Sequence, residues 1–349
     1  MINNNNDNLL HDASSQLCEA WLCEACCASN LLREFDSWAV FTHKNADGDT
    51  LGTASGLIEA GLNAGKAVAW YGPDAVFPNA YKFIRHADMY TPCIDKFKFE
   101  DQGVLYIFVD CANETRSVEI DDRVNLSDFK ILNIDHHEDN TRFGIVNCVV
   151  PDASSTAEIM ALILKAGNWN ITLEIAKSLY TGMWTDTGGF AFSSTSARTH
   201  RLAAELIDLG VDAGEMTDLI TQTKDIAGMA LWGRALSRIK IFGDNKEFAL
   251  SWLDLKDFAE TGAVQANTEG LPACLMTLAG VRVAAFMNEM PGKAVKLSLR
   301  SRPGKFSAAD IARALGGGGH PRAAGAIIHD RALNDVMNEI INMMLELDK

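Results

Sequence analysis

Apolar positions along the chain fall into two regimes. From Trp38 to about Trp184, short apolar runs alternate with stretches of helical spacing. Trp38 to Thr42, Ala67 to Tyr71, Gly103 to Val109, Phe129 to Ile134 and Gly144 to Val150 read as strands. The run GVLYIFV at 103–109 is apolar at nearly every position, the pattern of a strand covered on both faces. Helices are predicted over about Leu51–Asn63, Ser155–Lys165 and Leu173–Trp184, with an earlier one over Ser14–Phe35. Alternating β and α units of this size predict an α/β fold built on a doubly wound, mainly parallel sheet. Ser196 to Arg238 looks wholly helical and is expected to act as a connector. Beyond it the pattern changes. Ile239–Phe242, Phe248–Leu253, Val281–Met287 and Val295–Arg300 read as strands, with helices over Leu271–Ala279, Ser307–Leu315 and Leu333–Leu347. These predict a smaller, mixed α/β C-terminal domain. The expected boundaries are 1–205, 206–238 and 239–349, and no internal repeat is visible.

The length of 349 residues suits about two domains. With 48% hydrophobic and 22% charged residues the composition is that of a folded chain rather than a disordered one. No apolar run approaches the roughly 20 residues of a spanning helix. The first Lys or Arg is Arg33, so no positively charged leader precedes an apolar stretch. A cytoplasmic location and no membrane partner are therefore expected. Asn3 to Asn6 reads as a frayed polar tail. Eight cysteines are too few for a disulfide scaffold. Cys18, Cys23, Cys26 and Cys27 sit in the first predicted helix without the second, turn-borne pair of a zinc ribbon, and are read as structural thiols.

Acids and histidines cluster after the strands. His43-Lys-Asn-Ala-Asp47-Gly-Asp49 follows the first strand, Asp110 the third and Asp135-His136-His137 the fourth. Thr185-Asp186-Thr187-Gly188-Gly189 follows a helix. In an open α/β sheet the carboxyl ends of the strands line the ligand crevice, so these groups should converge. Aspartates gathered without lysine or arginine repel one another and call for cations. Carboxylate oxygens with imidazole nitrogens suit Mn²⁺ or Mg²⁺. Two such ions about 3.5–4 Å apart clamp the attacking and leaving oxygens of a phosphoryl displacement. Each segment alone has a plainer reading. Asp47-Gly-Asp49 makes a turn and a helix cap, and His136-His137 a structural pair. Four segments sharing one edge favour the metal reading.

The glycine run Gly316 to Gly319 exceeds what a helix C-cap requires. Consecutive glycines let backbone N–H groups approach a phosphate, and a flexible linker is the alternative. His320 beside it is a candidate phosphate donor or a plain surface histidine, and Arg300 a basic strand end or a solvated edge charge.

The motifs together resemble the DHH phosphoesterase family. Asp135-His136-His137 with Asn140 resembles its signature, and His43-x-x-x-Asp47-Gly-Asp49, Asp110 and Thr185-Asp186-Thr187-Gly188 its other motifs. Gly316 to Gly325 (GGGGHPRAAG) resembles the glycine-rich motif of the DHH-associated C-terminal domain. The resemblance spans almost the whole chain and is nearest to bacterial oligoribonucleases that also dephosphorylate 3′-phosphoadenosine-5′-phosphate. It implies two Mn²⁺ ions per chain, with Mg²⁺ as the alternative. His43 and Asp47 would hold the first, and Asp49, His136 and Asp186 the second, with Asp110 bridging as a catalytic ligand. His137 would be catalytic through the phosphate rather than a metal. Arg300, Gly317, Gly318, Gly319 and His320 would bind substrate, with Arg322 a further basic choice. Ala46 and Thr50 depart from the commoner proline and alanine without touching a ligand. Relatives often carry a polar or basic residue near Ala191, which bears on substrate choice.

The implied activity is two-metal hydrolysis of short RNA or DNA oligonucleotides or small nucleotides, without long nucleic acid as partner. Linear-dinucleotide phosphodiesterase, pyrophosphatase or exopolyphosphatase, and a non-catalytic nucleotide sensor are the competing readings. The oligomeric state is open, a homodimer included. Charge sharpens this. The chain carries −15 overall, but residues 282–331 carry +6, leaving −21 elsewhere. An acidic total disfavours a long polyanion and is compatible with a small one.

Overall fold

The computed structural model describes residues 7–99, 101–121, 123–221 and 225–346, with side chains from Trp21 onward. Asn3 to Asn6 and the side chain of Cys18 lie outside that range. Contacts divide the chain into two units, residues 1–223 and 224–349.

The first unit runs α1 (Asp7–Glu34), β1 (Ser37–Phe41), α2 (Gly48–Asn63), β2 (Ala67–Gly72), β3 (Tyr90–Pro92), β4 (Val104–Val109), β5 (Lys130–Asp135), β6 (Val146–Val149), α3 (Thr156–Ala166), α4 (Leu173–Asp186), α5 (Ala197–Asp208) and α6 (Ala213–Thr221). Its six strands pair in parallel in the order β3-β2-β1-β4-β5-β6. Alternate residues face opposite sides, so Trp38 and Val40 of β1 join a core with α2, α3 and α4, while Ala39 and Phe41 join an aromatic one. That second cluster gathers Phe97, Phe99, Tyr106, Phe108 and Phe129 under the irregular segments around β4.

β3 was not legible in the sequence because it has three residues and ends on Pro92. The helix expected to stop near Trp184 continues to Asp186, and the region expected to be wholly helical breaks at 209–212. Cys111 and Cys148 are buried like small apolar groups, whereas Cys23 and Cys27 are exposed on α1.

The second unit runs α7 (Ile226–Ser237), β7 (Lys240–Phe242), β8 (Phe248–Leu253), α8 (Leu255–Thr261), α9 (Leu271–Leu275), β9 (Val283–Met290), β10 (Ala294–Ser301), α10 (Ala308–Ala314), β11 (Gly318–His320), β12 (Ala323–His329) and α11 (Leu333–Glu346). Its sheet has the order β11-β12-β10-β9-β8-β7, with β8 and β9 parallel and the other pairs antiparallel. One face packs on α10 and α11, the other on α7 and α9. No described helix is long and apolar enough to cross a membrane.

Candidate active site

The site grows from the carboxyl edge of the first sheet. β1 and β4 are neighbours there, and strand order reverses between them, the position where α/β sheets open a crevice. His43 follows β1, Asp110 follows β4, and Asp135 closes β5. One edge therefore collects residues far apart in sequence.

Asp47 is the N-cap of α2, accepting from the backbone N–H of Asp49 (3.0 Å) and Thr50 (3.2 Å). The capping oxygen also lies 3.6 Å from His43 Nε2, so the helix cap sits within the acid–histidine cluster. Asp74 holds the intervening loop, accepting from the N–H of Asn45 (3.1 Å) and Ala46 (3.0 Å). Asp49 is buried in the first turn of α2 and accepts from Thr156 N (2.7 Å) and Ala157 N (2.9 Å). It thus occupies the amide-rich N-terminus of α3, a natural seat for an anion.

Two glycines set the distance between α2 and α4. A Cβ on Gly52 would lie 2.4 Å from the Ser178 carbonyl oxygen, and one on Gly182 would lie 2.8 Å from Asp49 Oδ1. Their close approach leaves Asp186, at the end of α4, with Oδ2 3.6 Å from His136 Nε2.

Asp110 joins the parts. It adopts a left-handed backbone, φ 60°, which aspartate tolerates better than most residues. Its Oδ2 is 3.2 Å from His43 Nε2, and its Oδ1 is 3.6 Å from both His136 Nε2 and His137 Nδ1. Each carboxylate oxygen thus faces a different histidine group. Three overlapping sets could each hold a metal ion: His43, Asp47 and Asp110; Asp49, His136 and Asp186; and Asp110, His136 and His137.

Ring tautomers follow from the acceptors beside them. His43 Nδ1 donates to the Lys44 carbonyl (3.0 Å) and His136 Nδ1 to the Ala153 carbonyl (3.3 Å). Both therefore turn Nε2 toward the carboxylates, the orientation a metal ligand needs. His137 differs. Its Nδ1 donates to Asp135 Oδ1 at 2.7 Å, and Asp135 Oδ2 accepts from Asn140 Nδ2 at 2.6 Å. That bond leaves Nε2 as its uncommitted nitrogen.

Electrostatics agree with a cation-seeking site. Burial raises Asp186 to about 6, offset by the His136 charge and reinforced by Asp110. Burial and the charges of Asp110 and Asp186 push Asp49 well above the usual carboxylate range. Burial also opposes charge on Asp110, but the His43 hydrogen bond and the neighbouring histidine charges hold it low. Against the same desolvation, Asp110 and Asp47 raise His43 to about 11, and Asp110 and Asp49 raise His136 to about 9. Among the described residues no lysine or arginine pairs with these four carboxylates. Hard oxygen donors with imidazoles fit divalent Mn²⁺ or Mg²⁺.

The seven predicted residues His43, Asp47, Asp49, Asp110, His136, His137 and Asp186 therefore come together. Arg300, Gly317, Gly318, Gly319 and His320 lie in the second unit. Arg300 is half-buried in β10, where burial lowers its pKa, and its Nη1 donates to its own Leu299 carbonyl at 3.0 Å. The glycine run, expected as an open loop, is partly an edge strand. β11 pairs Gly318 with Gly325 and Gly319 with Ala324. A Cβ on Gly317 would sit 2.1 Å from the Gly325 carbonyl oxygen, and one on Gly319 2.6 Å from that of Ala323. Strand packing thus explains two of the glycines, while Gly318 faces open space. His320 is exposed, its Nδ1 accepting from Arg322 N at 3.3 Å.

The sequence reading missed the residues that hold the ligands. Asp74 carries no motif signal beyond turn chemistry, and Asn140 belongs to the signature without an assigned role. Asp135 belongs to a motif, but its sequence context assigns it no role. Thr156 donates from Oγ1 to Asp110 Oδ1 at 2.9 Å, while its own N–H holds Asp49. One residue thereby orients both carboxylates. Thr156→Val keeps shape and deletes the hydroxyl. It is expected to lower kcat/KM about 10- to 100-fold, the usual cost of removing an outer partner, with the circular dichroism melt retained. A loss below about threefold would show that Asp110 is oriented without it.

Comparison with known proteins settles the family. The profile described as "DHH family, N-terminal domain" matches residues 37–183, and the "DHHA1 domain" matches 245–346. The chain belongs to the DHH family. A "Bifunctional oligoribonuclease and PAP phosphatase NrnA" of Thermus thermophilus is 30% identical over 88% of this chain and 89% of its own length. A protein of the same name from Mycoplasma genitalium is 29% identical over 91% of this chain and 97% of its own. In fold, an exopolyphosphatase-related protein from Bacteroides fragilis superposes with a TM-score of 0.84 at 24% identity, covering 93% of this chain and 96% of that one. As a DHH protein with this acid–histidine centre, the chain is a metal-dependent phosphoesterase.

Proposed function

We propose that this DHH protein hydrolyses short oligonucleotides and 3′-phosphoadenosine-5′-phosphate in the cytoplasm, using two divalent cations with Mn²⁺ foremost. The observation that carries the reading is Asp110, whose two oxygens face separate histidine groups. His43, Asp47 and Asp110 would hold one cation, and Asp49, His136, Asp186 and Asp110 the other. Cations so held supply the charge that activates water and neutralises the phosphoryl oxygens. The protein's own groups do the rest. The amides of Thr156 and Ala157 fix Asp49, and the Lys44 and Ala153 carbonyls fix His43 and His136. Asp135 aligns His137, whose free Nε2 is available to donate to a phosphoryl oxygen as charge develops there. In the second unit, Arg300, Gly317, Gly318, Gly319 and His320 bind the non-reacting part of the nucleotide. The half-buried Arg300 guanidinium, without an acidic partner among the described residues, supports this.

A substrate panel tests the reading. With Mn²⁺, di- to pentanucleotides and 3′-phosphoadenosine-5′-phosphate are expected to turn over well above pyrophosphate, and EDTA should remove the activity. Turnover of pyrophosphate alone would overturn the nucleotide assignment. Turnover that survives EDTA would overturn the metal assignment.

A further inference from the structure

The turn that follows Asp186 carries an aromatic ring for which the metal centre has no use. Residues 187–197 (TGGFAFSSTSA) contain no charged side chain. The segment therefore has no Lys, Arg or acid with which to grip phosphate. It offers two phenylalanines spaced by one residue, one packed and one exposed.

Phe190 is the anchor. Its ring packs 5.8 Å from Tyr180 and 5.6 Å from His200, centroid to centroid, and it belongs to the edge of the main core. Phe192 is the presented ring, 58% exposed in a unit whose other phenylalanines are mostly covered. The turn holds it there firmly. Gly188, Gly189 and Phe190 are all left-handed, with φ of 58°, 69° and 65°. A non-glycine residue in that region costs free energy that its surroundings must offset. Here the Thr187 hydroxyl accepts from Phe190 N at 3.0 Å, and the Thr187 carbonyl accepts from Ala191 N (3.0 Å) and Phe192 N (2.9 Å). The Phe192 ring lies against Gly188, where a Cβ would come 2.5 Å from Cζ. Gly188 is two residues from Asp186.

An exposed ring, pinned by a strained turn beside a proposed metal ligand, has the properties of a stacking surface. A rigid aromatic gives contact area at little cost in conformational entropy. Every nucleobase offers a matching π-face, so such a platform is tolerant of base identity. We infer that Phe192 is a nucleobase-stacking residue, which selects phosphoesters carrying a base next to the scissile phosphate over phosphoesters without one. The inference deepens the nucleotide reading above and rests on it.

The test compares base-bearing and base-free substrates. kcat/KM is measured for a diadenosine dinucleotide and for its abasic counterpart in the wild type, Phe192→Ala and Phe192→Trp. Phe192→Ala is expected to lose about 5- to 100-fold of the wild-type preference for the base-bearing substrate, mainly through KM, and Phe192→Trp to keep or increase it. A preference unchanged in Phe192→Ala overturns the inference, and so does an equal loss on both substrates, which would mark a purely structural residue. A binding measurement without turnover accompanies it. In Phe192→Trp, AMP should quench tryptophan fluorescence relative to the wild type and ribose 5-phosphate should not; equal responses to both overturn the inference. Failure of the nucleotide reading looks different, since the wild type itself would then cleave no nucleotide while hydrolysing base-free phosphoesters.

Discussion

Asp110→Ala is expected to abolish phosphoester hydrolysis, with kcat/KM falling about 10³-fold or more. The magnitude follows from the several kcal/mol of charge stabilisation that a metal pair contributes to phosphoryl displacement. Asp110 Oδ2 faces His43 and Oδ1 faces His136, so the substitution breaks both ligand sets at once. Mn²⁺ titration by calorimetry separates this role from that of a peripheral ligand. Asp110→Ala should weaken both binding events, whereas Asp186→Ala should leave the set of His43, Asp47 and Asp110 intact and weaken one. Folding is checked by circular dichroism. Retention of a tenth or more of the activity, or loss of one binding event alone, would refute the shared role.

His137→Ala is expected to lower kcat by about 10²- to 10³-fold, the cost of deleting one preorganised donor to a developing oxyanion. The ring could instead be read as a third ligand beside Asp110 and His136. The 2.7 Å bond from Nδ1 to Asp135 argues otherwise, because it takes the nitrogen that faces Asp110. The two roles separate on metal affinity. A phosphate donor can be removed with Mn²⁺ binding kept, and a ligand cannot. Asp135→Asn should give a smaller loss, about 10- to 100-fold, because the imidazole remains but loses its alignment. A parallel fall in Mn²⁺ affinity and kcat in His137→Ala would make it a ligand.

The clustered acids and histidines were legible because their chemistry is local in type and regular in placement. Strands alternating with helices announce a parallel sheet, and a parallel sheet gathers whatever follows its strands. His43, Asp110 and His136 could be placed at one edge on that rule alone. Asp47 shows the limit of reading residues singly, since a cap and a ligand carry the same signature and this carboxylate has the geometry of both. The glycine run shows a second limit. Four glycines exceed what a helix C-cap needs and suggest backbone amides near a phosphate; that Gly317 and Gly319 also face carbonyl oxygens of β12 is something no local pattern reveals.

By itself the sequence determined the fold class, the edge at which the chemistry gathers and the types of donor available there. These depend on periodicity and on side-chain chemistry, which are written residue by residue. Only the tertiary structure decided how the donors are aimed. Thr156 reaches Asp49 and Asp110 across separations of 107 and 46 residues, and Asn140 reaches Asp135 across 5. It also decided that Phe190 packs inward and Phe192 faces out, through a left-handed turn fastened to Thr187. Orientation arises from packing and hydrogen bonds, many of them between elements distant in sequence, so it exists only once the chain has folded.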